Sequence, residues 1–130
     1  MSIETLNTFC DEWLKAWTGN NPEGLLQFYS EDAFYSDPGV QQGLTGAEQI
    51  FPYYKKLLAH NPHWVWTREE LIPTEKGFTL KWKASIPVGE QTITAYGLDI
   101  VEVVNNKITR NEVYFDRSEL LQALHAVMKK

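Results

Sequence analysis

The spacing of hydrophobic residues changes near Pro62, and this change limits the folds open to the chain. Before Pro62, apolar side chains recur every three or four residues, which is typical of amphipathic helices. After it, apolar and polar residues alternate, which is typical of strands with one buried face. A chain of 130 residues can bury one hydrophobic core but not two. We therefore expect a single α+β domain over residues 1–130, with N-terminal helices packed on an antiparallel sheet.

Capping and turn signals divide this pattern into elements. A first helix is expected to end near Gly19, and a second to begin at Asn21 and end at Tyr29. A short extended segment follows over residues 33–37, and Thr45 to Glu48 reads as a capping box that opens a third helix. Turns divide the rest into four antiparallel strands joined by hairpins, and a last helix follows Asp116. The predicted turns lie at Lys76-Gly77, Gly89-Glu90 and Asn105-Asn106.

One predicted strand, residues 96–104, is largely apolar on both sets of alternating positions, so we expect both of its faces to be covered. Asp99 lies in the middle of this strand. A carboxylate there costs free energy unless it has a partner or a function. Asp99 is therefore a candidate functional residue, and its structural alternative is a hydrogen bond to a nearby tyrosine or tryptophan.

Composition excludes several functions. The net charge is −5 and no basic cluster occurs, which argues against nucleic-acid binding. Cys10 is the only cysteine, as in proteins of reducing compartments, and we expect it to be a buried thiol. His60, His63 and His125 lack the spacing of metal ligands, and no nucleotide-binding glycine motif is present. With no leader or membrane-spanning run, we expect a cytoplasmic protein with no membrane contact, metal or cofactor.

Several segments resemble known proteins. Gly24 to Pro38, followed by Gly46 to Ile50 and Tyr53-Tyr54, is similar to the first half of ketosteroid isomerase. The ending from Val113 to Leu124 is more similar to the SnoaL-like proteins. Both groups belong to the nuclear transport factor 2-like superfamily of cone-shaped α+β domains. The resemblance implies helices packed on a strongly curved antiparallel sheet that encloses a pocket.

The resemblance also implies functional positions. The isomerase's proton-shuttling aspartate falls on Asp37 and its oxyanion-side aspartic acid on Asp99, while its oxyanion tyrosine falls on Trp13. Asp37 would be the base and Asp99 the hydrogen-bond donor in a proton transfer next to a carbonyl of an apolar ligand, as in an isomerase or a cyclase. Together with strand parity, the resemblance predicts the remaining pocket residues: Tyr29, Tyr54, Trp82, Ala84, Gly97, Val101, Val113 and Phe115.

Other interpretations remain open at this point. Asp37 precedes a proline and could simply form a turn, and Trp13 could be a core residue. The pocket could belong to a non-catalytic binding module for a hydrophobic small molecule. It could also belong to an epoxide-opening hydrolase, which needs two carboxylates and an arginine. Arg68 and Arg110 are the only arginines in the middle of the predicted sheet.

The face of the 96–104 strand that points away from the pocket predicts an assembly. If Asp99 points inward, Tyr96, Leu98 and Ile100 point outward, and Tyr114 joins them on the next strand. An exposed apolar patch of this kind more often marks an interface, so we expect a homodimer packed sheet against sheet. Alternatively, the C-terminal helix covers the patch through Leu121 and Leu124.

Overall fold

The computed structural model describes residues 2–128 as one mixed α+β fold. Its elements are α1 (Ile3–Ala16), α2 (Pro22–Leu26), β1 (Tyr29–Asp37), β2 (Val40–Thr45), α3 (Ala47–His60), β3 (Val65–Pro73), β4 (Gly77–Val88), β5 (Gln91–Val104), β6 (Lys107–Tyr114) and α4 (Ser118–Met128). None of the helices within residues 2–128 is long and apolar enough to span a membrane.

The strands form one curved, unclosed sheet in the order β2-β1-β6-β5-β4-β3. β3 to β6 form the predicted antiparallel meander, while β1 joins the sheet parallel to β6. The helices pack on the concave face, where their apolar stripes and the inward residues of the sheet share one core. The predicted α+β arrangement is confirmed.

The first third of the chain differs from the prediction in three details. Tyr29 begins β1 instead of ending α2, because the Phe28 N–H closes the last turn on Leu25 and Tyr29 then pairs with Ile108. The predicted capping box is absent. Gly46 occupies the N-cap with a φ of 85°, and the Gln49 side chain accepts from the Thr45 N–H at 2.8 Å.

The third detail is β2, which the sequence pattern did not predict. Within this strand only Val40 is buried, so no apolar alternation marks it. It is formed by the chain turning at Pro38-Gly39 and pairing back along β1. This turn brings Asp37 to the end of a hairpin instead of the end of a lone strand.

The central strands alternate as predicted. Leu80, Trp82 and Ala84 of β4 are buried, as are Asp99 and Val101 of β5. The inner face of the sheet is therefore the covered one, and Asp99 points inward from it.

The outer face of β5 does not match the expectation that both faces are covered. Tyr96 and Leu98 are 53% and 48% exposed, and Tyr114 on β6 is 55% exposed. α4 does not cover this patch, because Leu121 and Leu124 contribute to a cavity on the inner side of the sheet instead. The Arg117 guanidinium donates to the Pro38 carbonyl at 3.3 Å and so ties the start of α4 to the β1–β2 turn.

Gly97 gives Trp82 the room it needs. The two residues are paired across β4 and β5, and a Cβ added to Gly97 would lie 2.1 Å from Cζ2 of the Trp82 indole. We expect Gly97→Ala to displace this ring and to lower the free energy of unfolding by about 1–3 kcal/mol, measured by urea denaturation. Thr94→Ala, an exposed change on the same strand, should cost about 0.5 kcal/mol or less. Equal stability of Gly97→Ala and the unchanged protein would contradict this packing.

Candidate functional site

A cavity of about 250 Å³ lies between the helices and the concave face of the sheet. Asp37 and Asp99 both line it, so the fold brings the two predicted catalytic residues to one space. Most of the remaining wall is apolar or aromatic. It consists of Leu14, Trp17, Tyr35, Pro38, Gly39, Tyr53, Leu57, Leu58, Asn61, Trp64, Trp66, Trp82, Val113, Phe115, Arg117, Leu120, Leu121 and Leu124.

The structure separates the predicted pocket residues into two groups. Trp82, Val113 and Phe115 line the cavity. The others are buried but do not line it, and these are Trp13, Tyr29, Tyr54, Ala84, Gly97 and Val101.

Asp99 is 4% exposed and is held by two neutral donors. The Trp82 indole N–H donates to Oδ1 at 2.8 Å, and the Asn111 amide N–H donates to Oδ2 at 3.0 Å. Burial raises the pKa of Asp99 to about 7, even though the bonds from Asn111 and Trp82 lower it. The negative charge of Asp37 adds a smaller increase. Near neutral pH, Asp99 can therefore either give or accept a proton.

A buried hydrogen-bond chain supports Asp99 from behind. The Asn111 side-chain oxygen accepts from the Tyr29 hydroxyl at 2.8 Å, and the Tyr29 oxygen accepts from the Trp13 indole N–H at 3.1 Å. The Trp13 indole thus serves the core and does not point into the cavity. Sequence reasoning missed Asn111. Because Val113 was placed inward, Asn111 two residues earlier on β6 had to share that face, and a polar residue there was the available signal.

Asp37 is bonded far more extensively than Asp99. Oδ1 accepts from the backbone N–H groups of Gly39 and Val40 at 2.8 and 3.1 Å, and Oδ2 accepts from the Tyr35 hydroxyl at 2.7 Å. The Tyr53 hydroxyl reaches both oxygens, at 2.9 and 2.8 Å. A carboxylate offers about four lone-pair sites, so these donors occupy Asp37 fully. It forms the predicted turn and also fixes two tyrosines of the cavity wall.

Three tryptophans form one side of the cavity. The rings of Trp17 and Trp66 are 5.9 Å apart and those of Trp64 and Trp66 are 5.7 Å apart. Tyr35 continues this wall, 6.1 Å from Trp17. Trp64 and Trp66 were not among the predicted site residues. Alternation in and just before the edge strand β3 does not show how far α1 and α3 lie from this strand, and this distance decides whether its side chains reach a cavity.

Arg117 is the one cationic residue in the cavity wall. The two arginines considered from the sequence lie elsewhere. Arg68 bonds Asp11 on α1, and Arg110 bonds Glu102 and Glu112. Within residues 2–128, no arginine forms an ion pair with Asp37 or Asp99, so the carboxylate–arginine contact expected of an epoxide-opening site is not formed there.

The comparisons with known proteins identify the family and the fold. A profile of the SnoaL-like domain matches residues 10–111. The chain belongs to the SnoaL-like domain family. A search of curated proteins finds no matching sequence.

Solved structures similar to this SnoaL-like domain share its fold at low sequence identity. A protein of ketosteroid isomerase-like fold from Catenulispora acidiphila, in complex with trimethylamine, is 21% identical with a TM-score of 0.77, over 90% of this chain and 92% of that one. A candidate SnoaL-like polyketide cyclase from Shewanella putrefaciens is 13% identical with a TM-score of 0.79, over 94% and 86%. The candidate hydroxylase AclR from Streptomyces galilaeus is 15% identical with a TM-score of 0.76, over 96% and 98%.

The described part of this SnoaL-like domain, residues 2–128, contains no group of three His, Cys, Asp or Glu side chains that could hold a metal ion. Cys10 is buried, as expected, and burial raises its pKa to about 12. Neither observation adds a reactive group to the cavity, so its chemistry rests on the carboxyl, hydroxyl, indole and guanidinium groups described above.

The raised pKa of Asp99 predicts how stability depends on pH. Between about pH 4, its ordinary pKa, and about pH 7, folded Asp99 holds a proton that the unfolded chain has lost. Stability should therefore fall as pH rises through this window. We expect the free energy of unfolding of the unchanged protein, relative to Asp99→Asn, to decrease by about 3 kcal/mol between pH 4 and pH 7.

Urea denaturation at several pH values measures this difference, and other titrating groups cancel in it. Asp32→Asn, at an exposed aspartate, is the control and should follow the unchanged protein. A constant difference between the unchanged protein and Asp99→Asn across the window would show that Asp99 ionises normally.

Proposed function

We propose that this SnoaL-like domain is a small-molecule enzyme of the isomerase or cyclase type, which moves a proton next to a carbonyl of an apolar ligand. The observation that supports this most strongly is the buried Asp99 carboxyl, which lines an apolar cavity and has a pKa raised to about 7. A general acid or base is most effective when its pKa lies near the working pH.

The contacts favour Asp99 over Asp37 as the group that exchanges the proton. Each Asp99 oxygen accepts one hydrogen bond and keeps lone-pair capacity for a ligand. Asp37 would have to lose a donor before it could accept a proton from carbon. The sequence-based assignment of Asp37 as base is therefore replaced in this proposal, while Asp99 keeps its predicted ability to donate to a carbonyl when it is protonated.

The charge that develops on a carbonyl oxygen during proton removal needs donors that are already in place. Two groups of the wall offer them. The Trp17 indole N–H has no hydrogen-bond partner within residues 2–128, and the Arg117 guanidinium makes one bond there, to Pro38. The Tyr53 hydroxyl proton is already donated to Asp37, which holds Tyr53 and Tyr35 in the wall.

The cavity favours a compact, flat ligand. Its volume of about 250 Å³ is just below the usual range for drug-sized ligands, and its tryptophan wall suits a ring or a conjugated system. A small ligand also fits the structural neighbours, one of which was solved with trimethylamine and another of which is a candidate polyketide cyclase. At this level of identity they support the fold, and the ligand and the reaction remain our proposal.

The test is deuterium incorporation next to the carbonyl of compact cyclic ketones incubated with the protein in D₂O. We expect Asp99→Asn to slow this exchange by about 10²–10⁴-fold, because the proton acceptor is lost. Asp37→Asn should slow it by about 10-fold or less, since Asp37 acts through Tyr35 and Tyr53 and through a small effect of its charge on Asp99. A larger loss in Asp37→Asn would instead return the role of base to Asp37.

A non-catalytic binding module is the second candidate, and the mostly apolar wall favours it. In that case ketones that quench the fluorescence of the pocket tryptophans would bind without exchanging deuterium. The binding-module function also predicts that Asp37→Asn and Asp99→Asn have mild and equal effects on the affinity for these ketones.

We also propose that two copies of the chain pair through the outer apolar face of the sheet, formed by Tyr96, Leu98, Ile100 and Tyr114. Tyr96, Leu98 and Tyr114 are all about half exposed in the single chain, and α4 lies on the other side of the sheet. A two-fold axis through Leu98 would cover the patch with its own copy.

Sedimentation at micromolar concentration should show a species of twice 15.0 kDa, and Leu98→Asp should return it to a single chain. Ile72→Asp, at an exposed apolar residue on the edge strand β3, is the control and should leave the dimer intact. A 15.0 kDa species for the unchanged protein would exclude the dimer.

A further inference from the structure

The hydrogen-bond chain behind Asp99 has a fixed direction. An indole N–H can only donate, so the Tyr29 oxygen accepts from Trp13, and the Tyr29 hydroxyl proton is free for Asn111. An amide that presents its oxygen to Tyr29 must present its NH₂ group to the other side, where Asp99 lies. The orientation of the Asn111 amide toward Asp99 is therefore set by a residue that does not touch Asp99.

The alternative orientation of this amide has the opposite effect on Asp99. With its oxygen turned toward Asp99, Asn111 would repel an ionised carboxylate and accept from a protonated one. The side chains of Tyr29, Asn111 and Asp99 are each 6% exposed or less, so water does not compete for the hydrogen bonds that Asn111 makes to the other two. The choice between the two orientations rests on the single hydroxyl of Tyr29.

We propose that Tyr29 is a positioning residue that locks the Asn111 amide with its NH₂ group toward Asp99 and thereby keeps this carboxyl able to ionise inside the apolar cavity. The inference extends the proposed function, in which Asp99 exchanges the proton. Its test measures only the titration of Asp99 and needs no substrate, so the role of Tyr29 and the proposed function can fail separately.

Few other groups near Asp99 titrate in the relevant range. Burial raises the pKa values of Tyr29 on β1 and Tyr54 on α3 far above neutrality, and that of Cys10 on α1 to about 12. The remaining charged group that acts on the Asp99 carboxyl is Asp37 at the end of β1. A transition near neutral pH can therefore be assigned to Asp99.

The chain also contains a matched control. Tyr54 is as deeply buried as Tyr29 and its ring centroid lies 5.4 Å from that of Tyr29. Its hydroxyl acts on that of Tyr29 but bonds neither Asn111 nor Asp99 within residues 2–128. Tyr29→Phe and Tyr54→Phe remove the same atom from neighbouring buried rings. They differ in whether that atom holds Asn111.

The readout is the NMR resonance of the Trp82 indole N–H, which donates to Asp99 and should shift as the carboxyl titrates. Its assignment follows from its loss in Trp82→Phe. We expect Tyr29→Phe to raise the midpoint of this titration by about one pH unit, and Tyr54→Phe to move it by less than about 0.3. An unchanged midpoint in Tyr29→Phe, or equal shifts in the two variants, would overturn the proposal.

A double variant tests the route of the effect. Asn111→Leu removes the amide and should raise the midpoint by at least as much as Tyr29→Phe. If Tyr29 acts through Asn111, adding Tyr29→Phe to Asn111→Leu should shift it no further. A further rise of about one unit would show that Tyr29 acts on Asp99 by another route and would overturn the proposed lock.

Discussion

A carboxyl group out of contact with water must be neutral or well supplied with donors, and Asp99 lies between these two conditions. Two neutral donors, Trp82 and Asn111, hold it in a mostly apolar wall. Each donor depends on another residue: Trp82 needs the space beside Gly97, and Asn111 needs the Tyr29 hydroxyl. Strands β1, β4, β5 and β6 therefore all contribute to the state of one carboxyl, and this couples the centre of the sheet to the cavity.

The second carboxylate shows how environment separates two chemically identical groups. Asp37 lies at a hairpin, where backbone N–H groups and two tyrosines satisfy it completely. Asp99 is satisfied only in part. Of the two, Asp99 is better placed to exchange a proton and Asp37 to organise the wall. This division of roles differs from that implied by the resemblance to ketosteroid isomerase, in which Asp37 was the base.

The alternation of side chains along the strands predicted which residues face inward, but not which of them reach the cavity. Alternation in β4 and β5 placed Trp82 and Asp99 on the inner face, because side-chain direction in a strand follows from position alone. Which inward residues reach the cavity depends on how helices and rings fill the space, so Trp13, Gly97 and Val101 are buried without lining it. Trp64, Trp66 and Arg117 were missed for the related reason that their positions depend on where α1, α3 and α4 lie across the sheet.

In the proposed function, this SnoaL-like domain uses an aspartate that can gain or lose a proton near neutral pH and that faces a cavity for a small apolar ligand. The most direct test is the titration of the Asp99 carboxyl carbon by ¹³C NMR, with its resonance assigned by its loss in Asp99→Asn. We expect a midpoint near pH 7, against an ordinary aspartate value of about 4. A midpoint near pH 4 would show that Asp99 is a permanently charged group at neutral pH and would contradict the proposed chemistry.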